Sequence, residues 1–167
     1  MPLAGYSGTP LIKKLGIKPC MKVLLINEPK EYYELLETNL NEQLCKKSEM
    51  PDFVHLFVKN NNEFFDEMKK LKSIIKKKSQ IIIWVSWYKK AAKIPTDITE
   101  DTIRNFALLN NLVDIKVCAV SEIWSGLKLV VPFTKTIIYL QFNKYNSWLC
   151  YERSKNSLYK RFYLSSS

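Results

Sequence analysis

Two adjacent lysines that follow an apolar stretch offer the clearest candidate chemistry in this chain. The stretch Gln80–Trp87 is rich in β-branched and aromatic residues, which is typical of a buried strand. Lys89 and Lys90 follow it after one residue, Tyr88. In open α/β sheets, ligands bind beyond the carboxyl ends of the strands. Two ammonium groups there would hold an anion, with Thr96 and Asp97 in the same loop. The alternative that stays open is a strand that simply ends in solvated charges.

The same region also suggests nucleic-acid binding. Residues 59–93 contain ten basic and three acidic residues, a net charge of +7, in a chain whose net charge is +10. Lysines interleaved with aromatic residues such as Trp84, Trp87 and Tyr88 can bind phosphates and stack on bases. Most of these lysines, however, belong to a predicted helix over roughly 62–78. For that helix we favour a solvated face that maintains solubility.

The single histidine and the four cysteines form no pattern typical of a catalytic or metal site. Cys20, Cys45, Cys118 and Cys150 are scattered, whereas zinc sites need clustered ligands. His55 lies inside an apolar run, where a lone histidine is usually a hydrogen-bonded core residue. Cys118 reads as a small buried hydrophobe. The sequence therefore predicts neither catalytic residues nor a metal ion.

Three short apolar runs have the length and composition of buried strands. They are Lys22–Asn27, Phe53–Val58 and Gln80–Trp87. A helical pattern follows each run: over Lys30–Thr38, over roughly 62–78, and after Thr99, which is a good N-cap. The second of these helices is capped by Asn60–Asn62 and carries an apolar stripe of Phe64, Met68, Leu71 and Ile75. Residues 39–52 are polar and weakly patterned, and we predict a loop there. This alternation predicts an α/β fold with a mainly parallel sheet flanked by helices.

The alternation closes with two strands that look like a hairpin. Asp114–Val120 and Leu127–Val131 alternate in polarity around a turn at Trp124–Gly126, and the hairpin would add an antiparallel edge strand. This order resembles a trimmed S-adenosylmethionine-dependent methyltransferase fold, which predicts a single Rossmann-like domain over residues 1–133. Residues 134–167 have no clear period and are interpreted as a basic, aromatic C-terminal extension.

The turn after the first strand argues against a nucleotide-type cofactor. Such cofactors usually require a glycine-rich turn, because glycine lets the backbone approach the ligand closely. The turn Asn27–Lys30 contains no glycine, and Pro29 has no N–H group to donate. We therefore predict no cofactor, with S-adenosylmethionine kept open as the alternative.

Three stretches of the chain resemble a known family. They are Ala4–Asn27, Ile81–Leu108 and Asn111–Val130, and they contain the strings GYSGTPL, LVDIKVCAV and WSGLKLV. These stretches are similar to small bacterial proteins known as the domain of unknown function numbered 3052, over about residues 4–131. The resemblance implies a cytoplasmic Rossmann-like domain of methyltransferase kind, with no established activity and no assigned catalytic residues.

Short sequence motifs that recur in that family complete the set of candidate ligand-binding residues. The set is Tyr6, Ser7, Gly8, Thr9, Trp87, Lys89, Lys90, Thr96, Asp97, Lys116, Trp124 and Ser125. Asp114 and Gly126 also fall on these recurring motifs. The chain departs from the family pattern at Cys20, Tyr88 and Ser121, where glycine, proline and an acid are usual. These three departures weaken any ligand role that the resemblance implies for the loop after Trp87.

The favoured function is a non-enzymatic or degenerate module that binds a protein partner or a small anionic ligand. Two alternatives stay open: an S-adenosylmethionine-dependent methyltransferase with an atypical cofactor site, and a nucleic-acid-binding protein. The N-terminus shows no secretory pattern, and no apolar run approaches the roughly 20 residues that span a membrane. We therefore expect a cytoplasmic protein with no membrane contact.

Overall fold

The computed structural model describes residues 8–46 and 49–132. Its elements are α1 (Leu11–Leu15), β1 (Val23–Ile26), α2 (Tyr32–Leu36), β2 (Phe53–Phe57), α3 (Asn61–Lys77), β3 (Ile82–Tyr88), a short 3-10 turn (Lys90–Ala92), α4 (Glu100–Leu109), β4 (Val113–Ala119) and β5 (Trp124–Val130). The predicted strands and helices are therefore present, and the α/β prediction is confirmed. The predicted C-terminal extension over residues 134–167 lies outside the described residues.

The five strands form one mixed sheet in the order β1-β2-β3-β5-β4. The first three strands are parallel, and β5 is antiparallel to both of its neighbours, so β4 runs in the same direction as β1, β2 and β3. The prediction of an antiparallel edge strand is wrong, because the antiparallel strand lies inside the sheet. Burial explains the order: Leu127 and Leu129 of β5 are fully buried, whereas the middle of β4 is exposed.

The turn of the closing hairpin also differs from the prediction. Strand β5 already begins at Trp124, and the turn lies over residues 121–123. The Ser121 hydroxyl accepts hydrogen bonds from the backbone N–H groups of Ile123 and Trp124, which closes this turn locally. Gly126 serves the strand rather than the turn, because a Cβ there would lie 2.9 Å from a methyl carbon of Val120.

Helices cover both faces of the sheet, which makes the domain a Rossmann-like layered fold. On one face, Val54, Leu56, Ile83 and Val85 pack against α3 and α4. The predicted apolar stripe of α3 is buried there through Phe64, Met68 and Leu71. The predicted caps are confirmed as well, since the side chains of Asn60 and Thr99 accept hydrogen bonds from the first turns of α3 and α4. On the other face, α1 and α2 pack over an aromatic core that consists of Tyr32, Phe53, Phe57, Trp84 and Trp124.

The two outer strands, β1 and β4, differ in the hydrogen bonding of their outer edges. Val23 of β1 exchanges backbone hydrogen bonds of 2.8 Å with Gln43 and Cys45, in a segment that the sequence predicted as loop. Among the described residues, no strand pairs with the outer edge of β4. In the same part of the chain, no helix is long and apolar enough to cross a membrane.

Candidate functional site

The predicted ligand-binding residues do not converge on one place. Tyr6 and Ser7 lie outside the described residues, and Gly8 and Thr9 are exposed just before α1. Trp87 is buried against α3 and α4, where it faces Ser125 across the β3–β5 pair. Trp124 is buried on the opposite face of the sheet. Four more candidates, Lys89, Lys90, Thr96 and Asp97, lie in the loop after β3, and Lys116 lies in β4.

The loop after β3 uses its polar side chains to fasten neighbouring loops. The Lys89 ammonium donates to the Ser121 carbonyl oxygen at 2.6 Å, which ties the end of β3 to the β4–β5 turn. The Thr96 hydroxyl donates to the Lys59 carbonyl oxygen at 2.8 Å. The Asp97 carboxylate accepts from the Asn61 backbone N–H at 2.8 Å, which fixes the start of α3. Lys90, in contrast, is exposed in the 3-10 turn.

A group of lysines gathers where α1 meets the β4–β5 hairpin. Lys116 and Lys128 lie directly opposite each other in β4 and β5, and Lys128 is opposite Trp84 in β3. Because Trp84 belongs to the aromatic core under α1 and α2, both lysines are on that face. The Lys116 ammonium donates to the carbonyl oxygen of Lys14 in α1 at 3.3 Å. We call this group the lysine cluster; it consists of Lys14, Lys18, Lys89, Lys116 and Lys128.

Within the lysine cluster, Lys128 is repelled by Lys116 and Lys18. Burial lowers the pKa of Lys128, and the positive charges of Lys116 and Lys18 lower it further. Among the described residues, no carboxylate forms an ion pair with Lys18, Lys89, Lys116 or Lys128. Like charges directly opposite each other in a β-sheet are destabilising. An anion bound at the cluster would relieve that repulsion.

Cys118 lies on the same face as the lysine cluster, opposite Gly126. Burial raises the pKa of its thiol, and the positive charges of Lys116, Lys14 and Lys89 only partly oppose that rise. The thiolate is the nucleophilic form of cysteine, and a raised pKa keeps the thiol protonated at neutral pH. The geometry therefore gives Cys118 no activation as a nucleophile.

His55 is the centre of a buried hydrogen-bonded chain. Its Nδ1 is 2.6 Å from the Tyr32 hydroxyl, and its Nε2 is 2.7 Å from the Ser86 hydroxyl. The imidazole also stacks on Phe57 with ring centroids 4.3 Å apart. Burial lowers the pKa of His55 from 6.5 to about 3, and it raises the pKa of Tyr32. The prediction of a satisfied core histidine is confirmed, although its partners are 23 and 31 residues away in sequence and carry no local signal.

Aromatic side chains pack around Trp124, on the face of the sheet that also carries the lysine cluster. Trp124 stacks on Tyr88 with ring centroids 4.2 Å apart, and it meets Phe57 edge to face at 5.2 Å. The buried indole N–H of Trp124 has no hydrogen-bond acceptor among the described residues. Since an indole N–H can also contact an aromatic face, this packing fits a core position and does not by itself indicate a ligand.

The residues after β1 do not form the glycine-rich turn that binds a nucleotide-type cofactor. The turn contains Asn27 in the left-handed conformation, with φ of 56°, followed by Glu28 and Pro29. The helix that follows has only five residues, and Glu31 and Glu34 bring negative charge to its first turn. These carboxylates would repel the phosphate groups of a nucleotide, which a helix N-terminus otherwise attracts. Within residues 8–46 and 49–132, no group of His, Cys, Asp and Glu side chains is arranged to hold a metal ion.

No protein-family model matches the chain, and no curated protein is significantly similar to it. Three solved structures show a weak likeness of fold. A candidate type 11 methyltransferase from Sulfolobus solfataricus is 16% identical with a TM-score of 0.43, over 68% of this chain and 86% of that protein. A protein in the NADB-Rossmann superfamily from Streptococcus agalactiae is 8% identical with a TM-score of 0.43, over 78% and 72%. The ribosomal protein L11 methylase from Lactobacillus delbrueckii subsp. bulgaricus is 10% identical with a TM-score of 0.37, over 72% and 74%.

Proposed function

We propose that this chain is a Rossmann-like binding module without methyltransferase activity, and that it holds an anionic ligand at the lysine cluster. The observation that carries the proposal is the direct opposition of Lys116 and Lys128 in neighbouring strands. Lys18 adds a third positive charge that acts on Lys128. A protein that only needs solubility can spread its lysines over the surface, whereas concentrating them costs stability unless a counter-charge is bound.

Two alternatives receive less support from the arrangement of residues. A methyltransferase would need a cofactor site after β1, and the turn there contains no glycine and leads into a helix of only five residues. A nucleic-acid-binding protein would be expected to use the lysines of α3, such as Lys69 and Lys72. Those side chains are exposed, as on a solvated face, whereas Trp84 and Trp87, which were predicted to stack on bases, are buried in the core.

The decisive test measures thermal unfolding and calorimetric binding of the full chain with inorganic pyrophosphate, adenosylmethionine and a short single-stranded oligonucleotide. At a hundredfold excess over its dissociation constant, a ligand adds about 2.7 kcal/mol, which raises the melting temperature by about 5–10 °C for a domain of this size. We expect that rise with pyrophosphate. The double variant Lys116→Ala with Lys128→Ala should abolish it.

The matched control is the double variant Lys69→Ala with Lys72→Ala, which removes the same charge from the exposed side of α3. We expect the control to bind pyrophosphate like the unaltered chain. Equal losses of pyrophosphate affinity in both variants would mean that net charge alone attracts the anion. That result would refute a specific site at the lysine cluster. Adenosylmethionine binding or protein-dependent methyl transfer would contradict the proposal directly.

Membership of the family numbered 3052 and a cytoplasmic location stay predictions from the sequence. The proposal does not depend on either of them.

A further inference from the structure

The outer edge of β4 pairs with no strand among the residues that the structure describes. In an edge strand, alternate backbone N–H and C=O groups point away from the sheet and can pair with another strand. Proteins usually protect such an edge with charges, bulges or a covering segment. Here the register between β4 and β5 shifts between Asp114 and Lys116, which leaves Ile115 as the extra residue. That bulge is the only irregularity in the described pairing of β4, and residues 116–119 continue in regular register.

The two faces of β4 differ in chemistry next to this open edge. Lys116 points to the face that carries the lysine cluster, together with Lys128 of β5. Val117 is opposite Leu127, so it lies on the face of α3 and α4. Ile115 and Val117 are 57% and 40% exposed, which is high for β-branched residues in a strand. The edge thus presents the positive charge of Lys116 on the face of the lysine cluster. It presents the exposed side chain of Val117 on the face of α3 and α4, with Ile115 exposed at the adjacent bulge.

We propose that β4 accepts an extended acidic peptide as an additional strand, with Asp or Glu alternating with apolar residues. This inference rests on the proposed function, because it identifies the anionic ligand as a peptide. An added strand would lie about 4.8 Å from β4, and its side chains would alternate between the two faces. Its carboxylates would reach Lys116 and Lys128, while its apolar residues would cover Val117 and Ile115.

Other occupants satisfy only part of this surface. A small anion would neutralise Lys116 and Lys128 but would leave Ile115 and Val117 exposed. An oligonucleotide offers phosphates but cannot pair with the backbone of a strand. A second copy of the chain would bring another Lys116 to a surface that is already positive, on a molecule whose net charge is +10. An acidic, alternating peptide alone complements the charge, the apolar residues and the backbone together.

The test uses calorimetry and amide hydrogen exchange on the full chain with a seven-residue peptide of alternating glutamate and valine, which matches the seven residues of β4. We expect binding together with slower exchange of amides within Val113–Ala119. A second peptide of the same sequence carries an N-methyl group on every backbone nitrogen between residues. It keeps the charge but cannot donate hydrogen bonds along either edge, so its affinity should fall at least tenfold.

Charge reversal supplies the matched variants. In the double variant Lys116→Glu with Lys128→Glu, the glutamate–valine peptide should bind at least tenfold more weakly, and a lysine–valine peptide should now bind. The control variant Lys69→Glu with Lys72→Glu changes the net charge equally on α3 and should keep the original preference. Urea unfolding of each variant confirms that the domain is folded.

The outcomes separate this inference from the proposed function. Peptide binding without protection of β4, or equal binding of the N-methylated peptide, overturns strand addition. If pyrophosphate binds through Lys116 and Lys128 but the peptide does not, the ligand is a small anion and only this inference fails. If an oligonucleotide binds with the same dependence on those lysines and the peptide does not, the ligand is a nucleic acid. If neither pyrophosphate nor peptide binds, both proposals fail.

Discussion

The buried His55 should make the protein lose stability as the pH falls from 7.5 to 5.0. In the folded chain the imidazole is fully buried, and its pKa is lowered from 6.5 to about 3, whereas in the unfolded chain it titrates near 6.5. The unfolded state therefore binds a proton in this range and the folded state does not. Stability is present in full above pH 6.5 and is lost as the pH falls towards the folded pKa.

The magnitude follows from linkage. A pH of 5.0 lies 1.5 units below the pKa of the imidazole in the unfolded chain. Protonation of the unfolded state therefore lowers the free energy of unfolding by about 2 kcal/mol relative to pH 7.5. Because His55 is the only histidine in the chain, no other imidazole contributes to this interval. Carboxylates contribute little above pH 5, since their ordinary pKa values lie near 4.

The assay is urea unfolding at pH 7.5 and at pH 5.0, monitored by tryptophan fluorescence. A suitable control combines Tyr32→Phe, His55→Leu and Ser86→Ala, which removes the imidazole together with both hydroxyl partners and leaves no orphaned polar group. We expect the control to lose much less stability over the same interval. A wild-type protein whose free energy of unfolding is the same at both pH values would refute the reasoning, as would an equal loss in the control.

Two further outcomes are expected. Gly126→Ala should destabilise the domain by about 1–3 kcal/mol in urea unfolding, because its Cβ would lie 2.9 Å from Val120 and 3.2 Å from the Ser86 hydroxyl; a neutral effect would show that Val120 can move aside. Cys118 should react with iodoacetamide at pH 7 more slowly than the exposed Cys20, since burial raises the pKa of its thiol; faster labelling of Cys118 in mass spectrometry would show that the neighbouring lysines dominate.

Local pattern predicted the elements of this fold better than their arrangement. The apolar runs before Lys59 and Lys89 are strands because β-branched and aromatic residues fill a layer that is buried on both sides. Their helices followed from the spacing of apolar residues and from the caps Asn60 and Thr99. The position of β5 between β3 and β4 did not follow, because alternation along a strand does not say which neighbour it pairs with.

The candidate site was predicted only in part for a similar reason. Lys89 and Lys116 were among the predicted residues, and the structure brings both into the lysine cluster. Lys14, Lys18 and Lys128 were missed, because they come from separate segments that meet only when α1 packs on the hairpin. The hydrogen-bonded partners of His55 were likewise invisible, since a buried tyrosine and a buried serine carry no sequence signal of their contact.

The two outer edges of the sheet, at β1 and β4, differ in their pairing, and this difference has a consequence for the stoichiometry of strand addition. The outward N–H and C=O of Val23 in β1 are already bonded to residues 43 and 45, while the described part of the chain leaves β4 open. A molecule that adds strands on both sides can link to others without limit, as in a fibril. A molecule that adds them on one side cannot link to others in this way. The captured peptide presents a new outer edge, but its carboxylates would repel those of a second acidic peptide. Strand capture by this domain should therefore end at one peptide per chain.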